Sequence, residues 1–292
     1  MIVIRLKGGM GNQMFQYAAG RGIAERIGTN LYLDLSQLLD HNLKNTTPRH
    51  YDLDLFQIEP KFVLPPSVIK KLYAIPTPYV RSWTKKYALR GKQYFKETQF
   101  PVIEALLNQP PDHTYYNGWW QSERYFENVT ATIRAEFQFR NERLPASSDL
   151  FEQIASTNSV CLNIRRTDFL LVDWLKVADL AYFTRASDYM IKRLQQPHFF
   201  VFSDDIEWGR KNIRINGHPV HIVGAEMNGH RYINKFQLMQ ACKHFIIPNS
   251  SYAWWAAWLS ENPEKIVIAP KVWFTNSNRD SSDLVPKKWI RL

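Results

Sequence analysis

The chain lacks the features that mark several large protein classes. It has only two cysteines, Cys161 and Cys242, in 292 residues. Both lie in apolar runs, which suits two buried thiols in a reducing compartment rather than a disulfide scaffold. Two cysteines cannot build a metal cluster, and the eight histidines show no HExxH-type spacing. No run of eighteen apolar residues is present, so no transmembrane segment is expected. The chain opens directly on a strand pattern, so no signal peptide is expected either. Internal repeats, low-complexity tracts and runs of five or six like charges are absent.

Apolar mass, aromatic rings and positive charge are plentiful. Hydrophobic residues make up 45% and aromatic residues 14%, with 10 Trp. That is enough for a sizeable core, and flat rings also suit sugar faces. The net charge is +10. Such a surface attracts nucleic acid, an anionic membrane or a phosphorylated substrate. Lys and Arg read as spread along the chain, so general solvation with anion steering is the simplest account. The length suits two domains. The polar stretch Arg140 to Ser159, with Pro145, reads as their linker, giving domains over 1–145 and 155–292. The expected location is cytoplasmic, with room for peripheral contact at the inner membrane face.

Hydrophobic spacing supplies the order of elements. Ile2–Leu6 reads as a buried strand, Lys7–Asn12 as a Gly-rich turn, Gln13–Arg26 as a helix and Leu31–Leu33 as a second strand. From Leu39 to Gln99 the pattern is broken by Pro60, Pro65, Pro66, Pro76 and Pro78, and irregular helices and loops are expected. Tyr115–Trp120 suits a strand and Glu123–Phe137 a helix. In the second half, strand patterns at Val160–Ile164, His198–Phe202, Val220–Val223, Phe245–Ile247 and Lys265–Ile268 alternate with helical ones at Leu180–Gln195, Ile206–Asn212, Lys235–Lys243 and Ser251–Leu259. Such alternation predicts an α/β fold with a parallel sheet.

The candidate site follows from where polar residues meet the strand ends. Ligands of open α/β sheets bind outside the carboxyl ends of the strands. Arg165 and Arg166 follow the strand Val160–Ile164, and a planar guanidinium suits phosphate oxygens. Asp168 follows them, and Asn163 precedes them on the strand. Ser203, Asp204 and Asp205 follow the strand His198–Phe202; they suit either contacts to a nucleobase or ribose, or the capping of a helix. Asn249, Ser250, Ser251 and Tyr252 follow Phe245–Ile247 and open a helix whose tryptophans suit the core; hydroxyls and amides there suit a phosphate or, again, a cap. Gly9, Gly11, Asn12 and Gln13 join the first strand to the first helix. This loop is neither a Walker A sequence nor GxGxxG, and it reads as an anion site or as a tight turn. Asp52-Leu53-Asp54 matches the DxD pattern of metal-dependent glycosyltransferases, but it lies outside the regular half and no metal is expected.

Taken together these residues resemble the bacterial α-1,2-fucosyltransferases of glycosyltransferase family 11. That family opens with GGLGNQMFQYA, here Gly8 to Ala18. It carries HxRRGDY, here Asn163 to Phe169, and FxFSDDxxW, here Phe200 to Trp208. Its LMxxCxxxIIxNSSFSWWxAWL appears as Leu238 to Leu259. The match runs over nearly the whole chain in the family's order. Asn163 stands for a histidine, Thr167 for a glycine, Ala253 for a serine and Lys235 for a usual acidic residue. These departures bear on donor binding rather than on the class of reaction.

The resemblance implies a GT-B-like fold of two facing Rossmann-like domains with parallel sheets. It implies inverting transfer of L-fucose from GDP-β-L-fucose to the 2-hydroxyl of a terminal β-galactose, without a cofactor or metal. The first domain would hold most of the acceptor site and the second the donor. Arg165 and Arg166 would neutralise the leaving diphosphate, helped by Ser250, Ser251 and the Gly9–Gln13 amides, while Asp204 or Asp205 would read guanine or ribose. The acceptor hydroxyl needs a base. Asp168 is one candidate. Asp173 is the other, because α-1,6-fucosyltransferases with the same Arg-Arg-Thr-Asp run carry their base five residues further on. Two readings from other classes remain. A silent glycan-binding module would have no use for the arginine pair, and nucleic-acid binding would show a basic stripe or recognition motif that is not found.

Overall fold

An apolar run such as Ile2–Arg5 has no polar face to turn to water, so it is stable only between two helical layers. In the computed structural model such runs form two parallel sheets, one in each of two units. The first unit is residues 1–140 with 282–284, and the second is residues 141–281 with 285–292. The structure describes residues 1–40, 49–74, 78–140, 147–167, 169–275 and 280–292.

The first unit contains β1 (Ile2–Arg5), α1 (Met10–Arg26), β2 (Leu31–Asp34), β3 (Lys61–Phe62), α2 (Pro66–Tyr73), α3 (Pro78–Leu89), β4 (Gln93–Lys96), α4 (Glu104–Asn108), β5 (Thr114–Asn117) and α5 (Thr130–Glu136). The strand order is β3-β2-β1-β5-β4. Successive residues of β1 serve opposite layers. Ile4 faces α1, where a Cβ on Gly20 would lie 3.3 Å from its Cδ1. Val3 faces α3 and clusters with Ala88 and Tyr115. Helix α1 is buried on nearly every side, including its glutamines Gln13 and Gln16.

Two expectations for this unit fail for physical reasons. The stretch between Leu39 and Gln99 supplies both edge strands, β3 and β4. The first is only two residues long, and the second is Gln-Tyr-Phe-Lys with three of its four residues exposed, so neither carries the apolar signature of an inner strand. Glu123–Phe137 is not one helix. Non-helical backbone at Phe126 and Val129 divides it into two 3₁₀ turns, Glu123–Tyr125 and Glu127–Val129, followed by α5. The Asn128 amide, which would continue a helix poorly, donates instead to the Gly22 carbonyl at 3.1 Å.

The second unit contains α6 (Ser148–Ser156), β6 (Asn158–Ile164), α7 (Leu180–Arg193), β7 (Pro197–Ser203), α8 (Ile206–Asn212), β8 (Val220–Ile222), α9 (Ile233–Ala241), β9 (His244–Ile246), α10 (Ser251–Leu259), β10 (Val267–Ala269) and β11 (Ile290–Arg291). The order is β11-β10-β9-β6-β7-β8, all parallel. Val160, Leu162 and Ile164 of β6 share a cluster with Tyr182, Phe183, Ala186 and Met190 of α7. The tryptophans of α10 are core, with Trp254 and Trp255 edge to face at 5.0 Å. Cys161 and Cys242 are buried free thiols. The expected linker is not bare: α6 lies in it because Leu150 and Ile154, one turn apart, are both buried. Ser282–Leu284 returns to the first unit, where Asp283 accepts from the Val102 amide at 2.9 Å.

From β6 the chain proceeds outward through β7 and β8. It then crosses back to β9 on the other side of β6 and proceeds outward again through β10 and β11. The order therefore reverses between β6 and β9, and a crevice opens at the carboxyl ends of those two strands.

Gly22 tests the packing of α1. A Cβ there would collide with the Tyr125 carbonyl oxygen, which is backbone and cannot rotate away. Gly22→Ala gains about 1 kcal/mol of helix propensity but overpacks by about 1–3 kcal/mol. Urea denaturation should show a net loss of stability. An unchanged or raised midpoint would mean that α1 can withdraw from the turn at no cost.

Candidate active site

Arg165 and Arg166 leave β6 at the point where the strand order reverses, and the loop they begin is held by one carboxylate. Asp204 accepts from the Arg166 amide at 2.9 Å, from the Thr167 amide at 3.2 Å and from the Thr167 hydroxyl at 2.7 Å. It also pairs with Arg165 Nε at 3.3 Å. Asp205 pairs with Arg166 Nε at 3.3 Å and caps α8 through the Trp208 amide at 3.1 Å. The Ser203 hydroxyl accepts from the Asp205 amide and donates to its carbonyl, both at 2.9 Å. The Arg166 guanidinium lies 4.1 Å from the centre of the Trp208 ring. Both arginine side chains are partly exposed, 35% and 25%. They are oriented by the protein and still reach solvent. The acid pair thus works within the protein, as helix cap and loop anchor. The Thr167 hydroxyl strengthens that anchor.

Lys235, which the sequence marks only as a departure from the resembled pattern, lies beside this loop. It is only 7% exposed, and its Nζ donates to the Ser203 carbonyl at 2.6 Å. Burial lowers it from 10.5 to about 8; the charge of Asp204 opposes that shift and the charge of Arg165 adds to it. A third cation therefore lies beside the arginine loop. The signal in the sequence was a lysine among apolar neighbours in the first turn of a helix.

Other expected residues divide between site and scaffold. Asn163 is buried, and its amide donates to the Phe202 carbonyl at 3.1 Å, stitching β6 to β7. The Asn249 amide donates to the carbonyls of Leu175 at 3.1 Å and Trp273 at 3.0 Å. It ties the turn after β9 to the turn Asp173–Leu175. Ser250 sits at the N-cap of α10 without a side-chain cap bond, and Ser251 begins that helix. The Tyr252 hydroxyl donates at 2.7 Å to the carbonyl of Tyr232. Tyr232 is 59% exposed, and it and Arg231 hold positive φ of 62° and 49°. Left-handed backbone at two consecutive bulky residues is strained, and nothing in the sequence signals it. Asp173 lies on the same unit in a 3₁₀ turn, fully exposed. Its ion pair with Lys176 at 2.6 Å lowers its pKa. Asp168 lies outside the described residues.

In the first unit the Gly-rich loop ends β1 and starts α1. Gly8 has a φ of 78°, and a Cβ there would lie 2.7 Å from Asn12 Nδ2. Gly9 is the N-cap of α1, and the buried Gly11 follows in its first turn. A helix amino end without acidic residues suits an anion. Asn12 Oδ1 accepts from Gln121 at 2.7 Å. The Gln13 side chain is spent on backbone: its amide donates to Gly8 and His50 carbonyls at 3.0 and 2.9 Å, and its oxygen accepts from the Asp52 amide at 2.9 Å. Asp52 and Leu53-Asp54 form this support and the following 3₁₀ turn. Among the described residues no three metal-ligating side chains converge.

The carboxyl edge of this sheet also holds a lysine and a glutamate that sequence reasoning missed. Lys7 Nζ lies 4.3 Å from the centre of the Trp119 ring and 3.5 Å from Asn117 Oδ1. Burial lowers Lys7 to about 8. The Glu97 carboxylate accepts from the Trp119 and Trp120 amides at 2.5 and 3.1 Å, and burial raises its pKa. Glu97 lies beyond a short strand with no motif around it, and Lys7 adjoins the Gly-rich motif without belonging to it.

Comparison with known proteins agrees with this geometry. The model of glycosyl transferase family 11 matches residues 1–292. An alpha-1,2-colitosyltransferase of Escherichia coli is 34% identical, over 100% of this chain and 99% of its own. Galactoside 2-alpha-L-fucosyltransferase Sec1 of Mus musculus is 24% identical, over 89% of this chain and 64% of its own. Among solved structures, a variant of Arabidopsis thaliana FUT1 in complex with GDP superposes with a TM-score of 0.53 at 10% identity, over 98% of this chain and 72% of that one. That likeness is of fold, and it makes the two parallel-sheet units GT-B-like.

Lys235 supplies a test of the buried cation. Its folded pKa of about 8 lies below the ordinary 10.5, so between those values the unfolded chain binds one more proton. The folded state bears the whole penalty below pH 8 and sheds it as pH rises toward 10.5. Lys235→Met should therefore raise unfolding free energy at pH 7 by up to about 3 kcal/mol. The gain should shrink through that window. A difference that stays constant in denaturation from pH 7 to 10 would show that Lys235 is not held in this way.

Proposed function

The chain belongs to glycosyl transferase family 11, and from that premise we propose that it transfers L-fucose from GDP-β-L-fucose to the 2-hydroxyl of a terminal β-galactose. The observation that carries this reading is the pair Arg165 and Arg166, fixed by Asp204 and Asp205 at the reversal of strand order. The transfer inverts the anomeric centre and needs no metal. As the glycosidic bond to GDP lengthens, negative charge grows on the diphosphate. Preorganised cations aimed at developing charge stabilise it without reorganising. Arg165 and Arg166 are those cations, and Lys235 adds its field from beneath. Ser250, Ser251 and the amino end of α10 add donors for the phosphates.

The acceptor hydroxyl must lose its proton as it attacks the face of fucose opposite GDP. We assign that work to Asp173, on a turn tethered by Asn249 to the end of β9. Its pKa is lowered by Lys176, so it is ionised at neutral pH and takes the proton late. Departure of GDP then leads the reaction, and the carboxylate steadies the acceptor. Asp168 is the alternative base. Acceptor sugars meet the carboxyl edge of the first unit, where Trp119, Asn117 and Lys7 offer a ring face, an amide and an ammonium.

One observation favours a second donor. The colitosyltransferase relative is 34% identical over the whole chain, and colitose is L-fucose without its 3-hydroxyl. A donor pocket that hydrogen-bonds the 3-hydroxyl would reject the deoxy sugar by a factor of ~10⁴, whereas an apolar pocket would take both. The experiment is to offer GDP-fucose and GDP-colitose with a galactoside panel, in EDTA, and to find the linkage by NMR. Fucosyl transfer to O2 of galactose is expected. Transfer of colitose alone, another linkage, or dependence on Mn²⁺ would overturn the corresponding part.

Arg165→Ala should lose roughly 3 kcal/mol of transition-state stabilisation and remain folded, since the side chain is partly exposed. A folded variant with near-normal turnover would refute its role. Asp173→Asn should lower kcat by ~10²–10⁴ while GDP affinity holds. Full turnover in Asp173→Asn, with loss in Asp168→Asn at unchanged GDP affinity, would make Asp168 the base.

A further inference from the structure

The positive charge of this chain is not spread as its composition suggests. Between Glu59 and Glu97 there is no acidic residue, while nine Lys and Arg occur. The net charge of the entire chain is +10, so about an eighth of the sequence carries nearly all of the excess. Elsewhere acids and bases almost balance.

The structure places five of the nine, Lys70, Lys71, Lys85, Lys86 and Lys96, exposed on two helices and the strand that follows them. Helices α2 and α3 form the crossover from β3 to β4, the two edge strands of the first sheet. Helix α3 turns Thr84 and Ala88, one turn apart, inward, with Ala88 against Val3 and Tyr115. Its outward face therefore carries Trp83 and Tyr87, also one turn apart. Their rings stack at 5.4 Å and remain 49% and 42% exposed. Lys85 and Lys86 between them are exposed, as are Lys70 and Lys71 near the end of α2. The Tyr73 and Thr84 hydroxyls, 3.1 Å apart, join the two helices. On the neighbouring edge strand Tyr94 stacks on Tyr115 at 5.9 Å, which puts it and the alternate residue Lys96 on the same side of the sheet as α3.

A stacked Trp–Tyr pair in water is unfavourable unless something covers it. The exposed lysines of these two helices disfavour a cationic partner and favour an anionic surface. Trp and Tyr settle at the headgroup level of a bilayer, and Lys and Arg beside them are drawn to anionic lipid. We propose that the outer face of α2 and α3, continued by Tyr94 and Lys96, docks the first unit onto a bilayer containing anionic phospholipid, with Trp83 and Tyr87 seated among the headgroups. No helix among the described residues is long and apolar enough to cross a membrane, so the attachment is peripheral. The docking does not depend on which sugar is transferred.

The test uses the full chain and sedimenting vesicles, either pure phosphatidylcholine or phosphatidylcholine with about 30 mol % phosphatidylglycerol, at about 0.1 M salt. Binding to the anionic vesicles only, weakening as salt rises, is expected. Lys85→Glu with Lys86→Glu should weaken partitioning by at least about tenfold. Trp83→Ala with Tyr87→Ala should weaken it too and leave what remains more salt-sensitive. Transfer to a water-soluble galactoside should be unchanged in both variants, which also shows that they fold. Equal binding to both vesicles, or to neither, would overturn the proposal. So would an aromatic variant that binds vesicles normally while the charge variant loses vesicles and duplex DNA alike, because that is charge attraction to any polyanion. Loss of transfer to the soluble galactoside would also overturn it, by making this face part of the substrate site.

Discussion

The Asp204 carboxylate is the interaction on which the site depends. Two consecutive arginines at a strand end repel each other, and Lys235 lies buried beside them. Without a counter-charge the loop would turn its guanidinium groups to water. Asp204 gathers two backbone amides, one hydroxyl and one guanidinium on its two oxygens, and Asp205 takes the second arginine while capping α8. Charge-assisted hydrogen bonds of this kind are about twice as strong as neutral ones, and a fully connected network is rigid. The arginines are thereby held ready for an anion rather than assembled by it.

The same economy governs the rest of the second unit. Parallel pairing sends every strand's carboxyl end to one edge, and the reversal of order between β6 and β9 leaves room there. Asn249 then joins the turn after β9 to the turn that carries Asp173. A single buried amide thus couples two loops far apart in sequence, one opening α10 and one carrying a carboxylate. The strained backbone at Arg231 and Tyr232 belongs to the same edge, held in part by the hydroxyl of Tyr252.

The first unit shows how a charge surplus can be segregated. Its helices α2 and α3 carry lysines outward and turn Ile69, Thr84 and Ala88 inward, so apolar and small side chains cover the sheet while the outer face stays positive. At the carboxyl edge the opposite holds. There a lysine and a glutamate are buried rather than turned outward, and burial lowers the Lys7 pKa to about 8 and raises that of Glu97.

The order of the central elements was legible in the chain, because inner parallel strands are apolar on both faces and helices between them have their own period. β1, α1, β6, α7, β7, α8, α9 and α10 lie close to where spacing puts them. The arginine pair was legible as well, since two cations after an apolar strand have few other uses. The edge strands β3 and β4 were not, because one exposed face erases the apolar signature. The helix α6 was hidden in a polar stretch by having only two buried residues. Roles were the least legible part. Asp204, Asp205, Asn249 and Gln13 are the kinds of residue that either touch ligands or hold loops, and their sequence context is the same in both cases. Only the tertiary structure decides, because it alone brings Asp204 to the Thr167 hydroxyl and Lys235 to the Ser203 carbonyl. Those contacts join different strands and helices, and local sequence pattern carries no record of which strand end will lie beside which.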